Sequence, residues 1–177
     1  MLLVMARLAT VFSVAFLVSC DEFGERPTFT DVPKERSSLV DGLYSYLSPS
    51  EASELLGELA TSWKVLEDEK APPGDSRPPF RLYTTLVHGF ENLGFEGDLK
   101  LTFFNERLMS AGFFPNDPVA YFQRLNAVLP ALTEKTPARV PPFTDVVLGI
   151  DYQSRKFASW EDTRLVREMA FWIKRYS

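Results

Sequence analysis

Apolar and polar residues alternate along this chain with different periods, and each period predicts an element. In the stretch "GDLKLTFFNERLMSAGFF", Leu99, Leu101 and Phe103 alternate with Lys100 and Thr102, the period-two pattern of a half-buried strand. Asn105 and Glu106 supply a two-residue turn, because Asn tolerates the positive φ such a turn requires. The stretch therefore predicts a hairpin with Phe103 opposite Leu108. In a regular register Phe104, Met109, Ala111 and Phe113 then share the second face, mixed with Lys100, Thr102 and Arg107. That face is expected to be covered by the C-terminal helix through Leu165, Met169 and Ile173, whose apolar stripe must be buried somewhere. If uncovered, Phe104, Met109 and Phe113 would form a partner surface, since contiguous exposed apolar patches mark such sites.

Other segments follow the same logic. "SPSE" places Ser48 at an N-cap, Pro49 at the first helical position and Glu51 where it returns the capping hydrogen bond. Ala52, Leu55 and Leu56 make the stripe of that short helix, and Gly57 can stop it. "TSWKVLEDE" predicts a strand, and "KAPPGDSRPP" a loop. "FRLYTTLVHGF", from Phe80, is rich in β-branched and aromatic residues and predicts another strand. A second helix begins at Asp117 and Pro118, carries Val119, Phe122 and Leu125 on one face, and ends at Pro130. "TPARVPPF" predicts a loop, and "TDVVLGIDYQSRKFASW" a hairpin turning at Gln153 and Ser154. A last helix is expected from about Trp160, with Ser159 as cap, Asp162 reaching back, and Leu165, Met169, Trp172, Ile173 and Tyr176 on one face. Lys174 and Arg175 complement its C-terminal dipole. The order predicts an α+β domain over residues 39–177, an antiparallel sheet of about four to six strands with helices packed on one face.

The N-terminus has a different pattern. Arg7 is followed by an apolar run from Leu8 to Val18, about half the roughly 20 residues a spanning helix needs. A positive residue followed by a short apolar core is the shape of a secretory signal peptide, over residues 1–19. It closes with Leu17, Val18, Ser19 and Cys20, and these four residues resemble the lipobox of bacterial lipoproteins. The resemblance implies that the Cys20 thiol is alkylated with diacylglycerol and that the chain is cut before it. Cys20 is the only cysteine in the 177 residues, so it has no disulfide partner. Two or more acyl chains anchor a protein stably, whereas one binds marginally. Asp21 and Glu22 follow Cys20, and in enterobacterial lipoproteins an aspartate there acts in membrane sorting, favouring the inner membrane over the outer. Residues 21–38, charged and carrying two prolines without periodicity, predict a flexible tether spanning roughly 25 Å.

Composition narrows the function. The chain carries a net charge of −5, and removing residues 1–19 takes away Arg7 and no acid. An acidic chain without a Lys/Arg stripe argues against a nucleic-acid partner and equally against a polybasic contact with anionic lipid. Nucleophile elbows, zincin motifs and glycine-rich phosphate loops do not occur. His88, the single histidine, is expected to be structural or at the surface, as are the acids Glu67, Asp68 and Glu69. Trp63, Trp160 and Trp172 are expected in or beside the core, and no cofactor or metal is expected.

Residues 42–110 also resemble small envelope lipoproteins of the SmpA/BamE type, through Ser48, Ala52, Leu55 and Gly57, then Leu99, Leu101, Phe103, Asn105, Arg107 and Leu108. That family assists the assembly of outer-membrane β-barrels, so the resemblance implies a protein-binding role. Leu47, Ser48 and Pro49 stand where the family has Gly-Met-Thr. The expectation is a lipid-anchored, non-enzymatic envelope protein facing the periplasm and binding another envelope protein. The alternative is a ligand-binding or hydrolytic lipoprotein whose site follows no known motif.

Overall fold

The computed structural model describes residues 27–177. In chain order its elements are α1 (Pro49–Leu56), β1 (Lys64–Lys70), β2 (Arg81–Asn92), β3 (Phe95–Phe104), β4 (Arg107–Pro115), α2 (Pro118–Val128), β5 (Ala138–Val140), β6 (Thr144–Ile150), β7 (Lys156–Asp162) and α3 (Thr163–Tyr176). The strands form one antiparallel sheet in the order β1-β2-β3-β4-β7-β6-β5. The fold is α+β, as the pattern of elements predicts. Its seventh strand comes from the "TPARVPPF" segment expected as loop, where three residues pair with β6.

The central hairpin turns where the alternation places it. Asn105 and Glu106 stand at φ 48° and 62°, and Phe103 lies opposite Leu108. Beyond that pair the regular register fails. Thr102 pairs with Ser110 rather than Met109, so Met109 is an extra residue in a β-bulge. A single inserted residue exchanges the faces of everything after it. Ala111 and Phe113 therefore point to the first face, beside Leu101 and Leu99, and only Phe104 and Met109 remain on the second.

The main core lies on the first face, built on Leu99, Leu101, Phe103, Leu108 and Phe113 and closed by Ala52 and Leu56 of α1 and Tyr121 and Leu125 of α2. The capping box of α1 is complete, with Glu51 N–H donating to Ser48 Oγ and Ser48 N–H to Glu51 Oε2, worth about 1 kcal/mol. Leu55 faces solvent instead of joining the stripe. Gly57, at φ 57°, ends α1, but the chain continues in a 3₁₀ turn over Gly57–Ser62, so β1 starts only at Lys64. On α2, Tyr121 replaces the expected Val119 on the buried face, and Val119 is 71% exposed.

The C-terminal third departs most from the sequence expectation. The β6–β7 connection is a five-residue loop, Asp151 to Arg155, with Ile150 opposite Lys156, not a two-residue turn at Gln153 and Ser154. The Asp151 carboxylate explains the difference, because it accepts from the backbone N–H groups of Gln153 and Arg155 and closes the loop on itself. Trp160 lies within β7, and α3 starts at Thr163 with Asp162, not Ser159, as its cap. Asp162 accepts from Arg164 and Leu165 N–H, and Arg164 pairs with it at 2.6 Å. Leu165 and Trp172 of α3 pack with Phe104, Met109 and Phe29 as a second cluster. The C-terminal helix thus covers part of the second face, through Leu165, Met169 and Trp172, while Ile173 stays 45% exposed.

Phe29 belongs to a segment expected as tether. Residues 27–38 instead run along the domain as a strap. Phe29 stacks on Phe171 and meets Tyr176 edge-on, at centroid distances of 6.2 and 6.1 Å. Asn105 donates to the Phe29 carbonyl, Arg107 to that of Asp31 and Arg164 to that of Glu35, while Ser37 is fully buried beside Thr144. An aromatic residue that can be buried outweighs the polar composition around it.

Candidate functional site

Pairing runs unbroken across the sheet, so one level of its second face can be read from edge to edge. Glu67 lies opposite Thr84, Thr84 opposite Thr102, Thr102 opposite Ser110, Ser110 opposite Glu161, Glu161 opposite Asp145, and Asp145 opposite Arg139. Polar residues are what the open side of an antiparallel sheet ordinarily carries. The middle of this row is different, because the twisted face and the 151–155 loop enclose it. There a cleft of about 360 Å³ is lined by Lys100, Thr102, Ser110, Ser159 and Glu161, with Gly112 in its floor. Phe114 and Phe157, stacked at 4.8 Å, wall one side.

The Glu161 carboxyl is the perturbed group of this cleft. Burial pushes its pKa above the ordinary glutamate range, a hydrogen bond with Ser159 works against that push, and the Asp145 charge across the strand pair adds to it. A carboxyl holding its proton longer than usual, among three hydroxyls and a lysine, can both donate and accept hydrogen bonds to a polar ligand.

A second cleft adjoins the first and shares Phe114 with it. Its volume is about 670 Å³, and its lining includes Pro115, Pro118, Val119 and Phe122 on the α2 side and Arg155 and Lys156 on the loop side. The Arg155 guanidinium sits 4.7 Å over the Phe114 ring, bonds Asp151 at 2.9 Å and reaches Asp98 at 3.3 Å. Around the two mouths stand Val119, Ile150 and Tyr152, the last two 60% and 92% exposed.

His88 lies inside β2, not at its end, in a bulge between Val87 and Phe90. Its Nδ1 is 2.7 Å from Asp98 Oδ1. That is the geometry of a base and its orienting carboxylate, but the hydroxyl bonded to His88, that of Ser62, accepts from its backbone N–H and not from its ring. Among the described residues no group of three or more His, Cys, Asp or Glu could hold a metal ion, and no helix is long and apolar enough to cross a membrane.

The remaining expectations separate clearly. Phe104, Met109 and Phe113 are buried, Phe113 in the first-face core and the other two under α3, so they form no exposed surface. Asp68 is held below the usual carboxylate range by its hydrogen bonds with Arg81, and Glu67 lies against Thr84, both on the solvated edge strand β1. Trp160 and Trp172 are buried, and Trp63 packs beside the main core. Cys20, Asp21 and Glu22 lie outside the described residues. No protein-family model and no characterised protein sequence matches the chain. Glu161, Tyr152 and Arg155 escape sequence reasoning because their roles depend on the loop that Asp151 closes. One signal was present, a tyrosine inside a stretch of turn-forming polar residues.

Proposed function

We propose that this chain is a lipid-anchored envelope protein, facing the periplasm, that binds another protein and catalyses no reaction of its own. The lipobox at Leu17 to Cys20 supports the anchor, and Asp21 and Glu22 favour the inner membrane. The observation that carries the binding role is the gathering of Val119, Ile150 and Tyr152 around two adjoining clefts. The larger cleft, by Asp98 and Pro115, lies at the opposite end of β3 and β4 from the turn where Asn105 holds the Phe29 carbonyl, and the smaller runs from it along the sheet. Solvent-exposed apolar residues clustered at clefts mark binding sites, whereas single ones do not. On this reading the larger cleft stands on the side away from the anchor, where a partner can reach it.

The intact mass of the membrane fraction tests the anchor: a lipidated chain beginning at Cys20 is expected, and an unmodified chain that keeps residues 1–19 overturns it. A photo-crosslinking residue at Tyr152, compared with one at Leu55, which is exposed on α1, tests the site. One discrete protein adduct from position 152 alone is expected. Equal yields from both positions would remove this end as the docking site. A second reading, a ligand-binding or hydrolytic lipoprotein, is favoured by one observation, the raised Glu161 carboxyl among the hydroxyls of the smaller cleft. It requires that Glu161→Gln abolish binding of a small polar ligand without changing the adduct at position 152.

A further inference from the structure

We infer that the outward face of α3 lies against the bilayer and binds anionic phospholipid headgroups. The inference rests on the lipid-anchor reading above for its geometry and adds a second contact to it.

Charge is the first support. α3 carries Arg164, Arg167, Lys174 and Arg175 against a single acid, Glu168. Glu168 is turned inward to Arg107 at 2.9 Å, and Arg164 is held by Asp162. Arg167, Lys174 and Arg175 remain exposed, with no ion-pair partner among the described residues. Arg167, Ala170 and Lys174 recur at helical spacing on one solvent-facing line, with the exposed Ile173 beside it. A role at the helix dipole explains Lys174 and Arg175 in the last turn, but accounts for neither Arg167 nor an exposed isoleucine.

Position is the second support. Phe29 seats on Phe171 and Tyr176, which ties the strap beside the last turns of α3. The segment from Cys20 to Phe29 spans at most about 30 Å when fully extended. With the anchor in the bilayer, those turns lie within that reach of the headgroups. Of the acids on the strap, Glu35 is tied through its carbonyl to Arg164 in the first turn of α3, and Asp31 through its carbonyl to Arg107. The net negative charge of the chain, which by itself argues against a lipid contact, is an average over the whole surface. At a Debye length of about 10 Å the bilayer responds to the nearest face only.

The test uses a chain starting at residue 20 with Cys20→Ser, which cannot be lipidated. It retains residues 29–176, from which both hydrophobic clusters are built. Sedimentation with phosphatidylcholine vesicles, with and without phosphatidylglycerol, at about 0.1 M salt should show binding to the anionic vesicles alone. Each cation removed should lower partitioning about fivefold, so Arg167→Gln with Lys174→Gln should lower it about 25-fold. The double variant Lys64→Gln with Lys135→Gln, exposed cations elsewhere, should bind as the parent does. Equal binding to both vesicle types, or an equal loss in the two double variants, overturns the inference, provided that melting curves show all variants folded. Intact mass separates the two readings. A native chain found unlipidated while the vesicle preference persists overturns the anchor and upholds the α3 surface, and a lipidated chain without that preference overturns the surface alone.

Discussion

Thr85 is the one described residue with a buried side-chain polar atom lacking a hydrogen-bond partner. It points from β2 into the first-face core opposite Leu101, where a hydroxyl loses its water and gains nothing. Thr85→Val should therefore stabilise the domain by about 1 kcal/mol, read from a denaturant midpoint that rises at constant slope. Glu161 makes the opposite kind of prediction. Its folded pKa is raised, so the folded chain holds a proton that the unfolded chain has released. Stability is thus full below the unfolded glutamate value and falls as pH rises through the folded one. Because lowered carboxylates such as Asp68 act in the opposite sense, the test is the difference: upward from about pH 4 the melting temperature of the parent should fall relative to that of Glu161→Gln. A parent that gains on the variant as pH rises would show that the carboxylate is stabilised in the fold. Neither residue was legible in the sequence: Thr85 sits in an expected strand whose faces were not known, and Glu161 falls where the pattern predicts the first turn of the last helix rather than the strand β7 that holds it.

At the scale of elements, legibility followed how local the determining physics is. The capping box of Ser48 and Glu51, the Asp117 cap and the Asn105-Glu106 turn each depend on contacts within a few residues, and all formed as the sequence predicts. The bulge at Met109 does not, because what fixes it is the choice of which side chains fill two different cores. Phe113 is the residue that suffers from this. A strict alternation gives it to the second face, whereas it packs at 5.0 Å from the Tyr121 ring and 6.1 Å from Phe90 in the first. Phe113→Ala should cost roughly 3 to 5 kcal/mol, as for a fully enclosed aromatic residue. A melt within a degree of the parent would refute the bulged register. The late start of α3 has a similar cause, as pairing with β4 and β6 holds Ser159 and Trp160 in β7 and leaves the cap to Asp162.

For the molecule as a whole, composition marked residues 21–38 as polar and proline-containing, and that was enough to hide Phe29. Phe29 is the outermost fastening of the twelve residues that follow the domain. The strap it begins is fastened at separated points: the Phe29 ring, the carbonyls of Asp31 and Glu35, and the buried Ser37 hydroxyl. Fasteners set in sequence fail one at a time under load. A steady pull on the N-terminal end therefore peels the strap from Phe29 inward before it stresses any strand of the sheet. Releasing residues 29–38 adds about 35 Å of reach. In an optical-trap experiment gripping residue 20 and the C-terminus, this should appear as a small reversible extension at low force, well below the rupture of the sheet. Phe29→Ala should shift that step to lower force and leave the main rupture where it was. A single rupture with no early step would mean that strap and sheet yield together. The segment thus behaves as a retractable leash, short at rest and longer under tension, whose first catch is one phenylalanine ring.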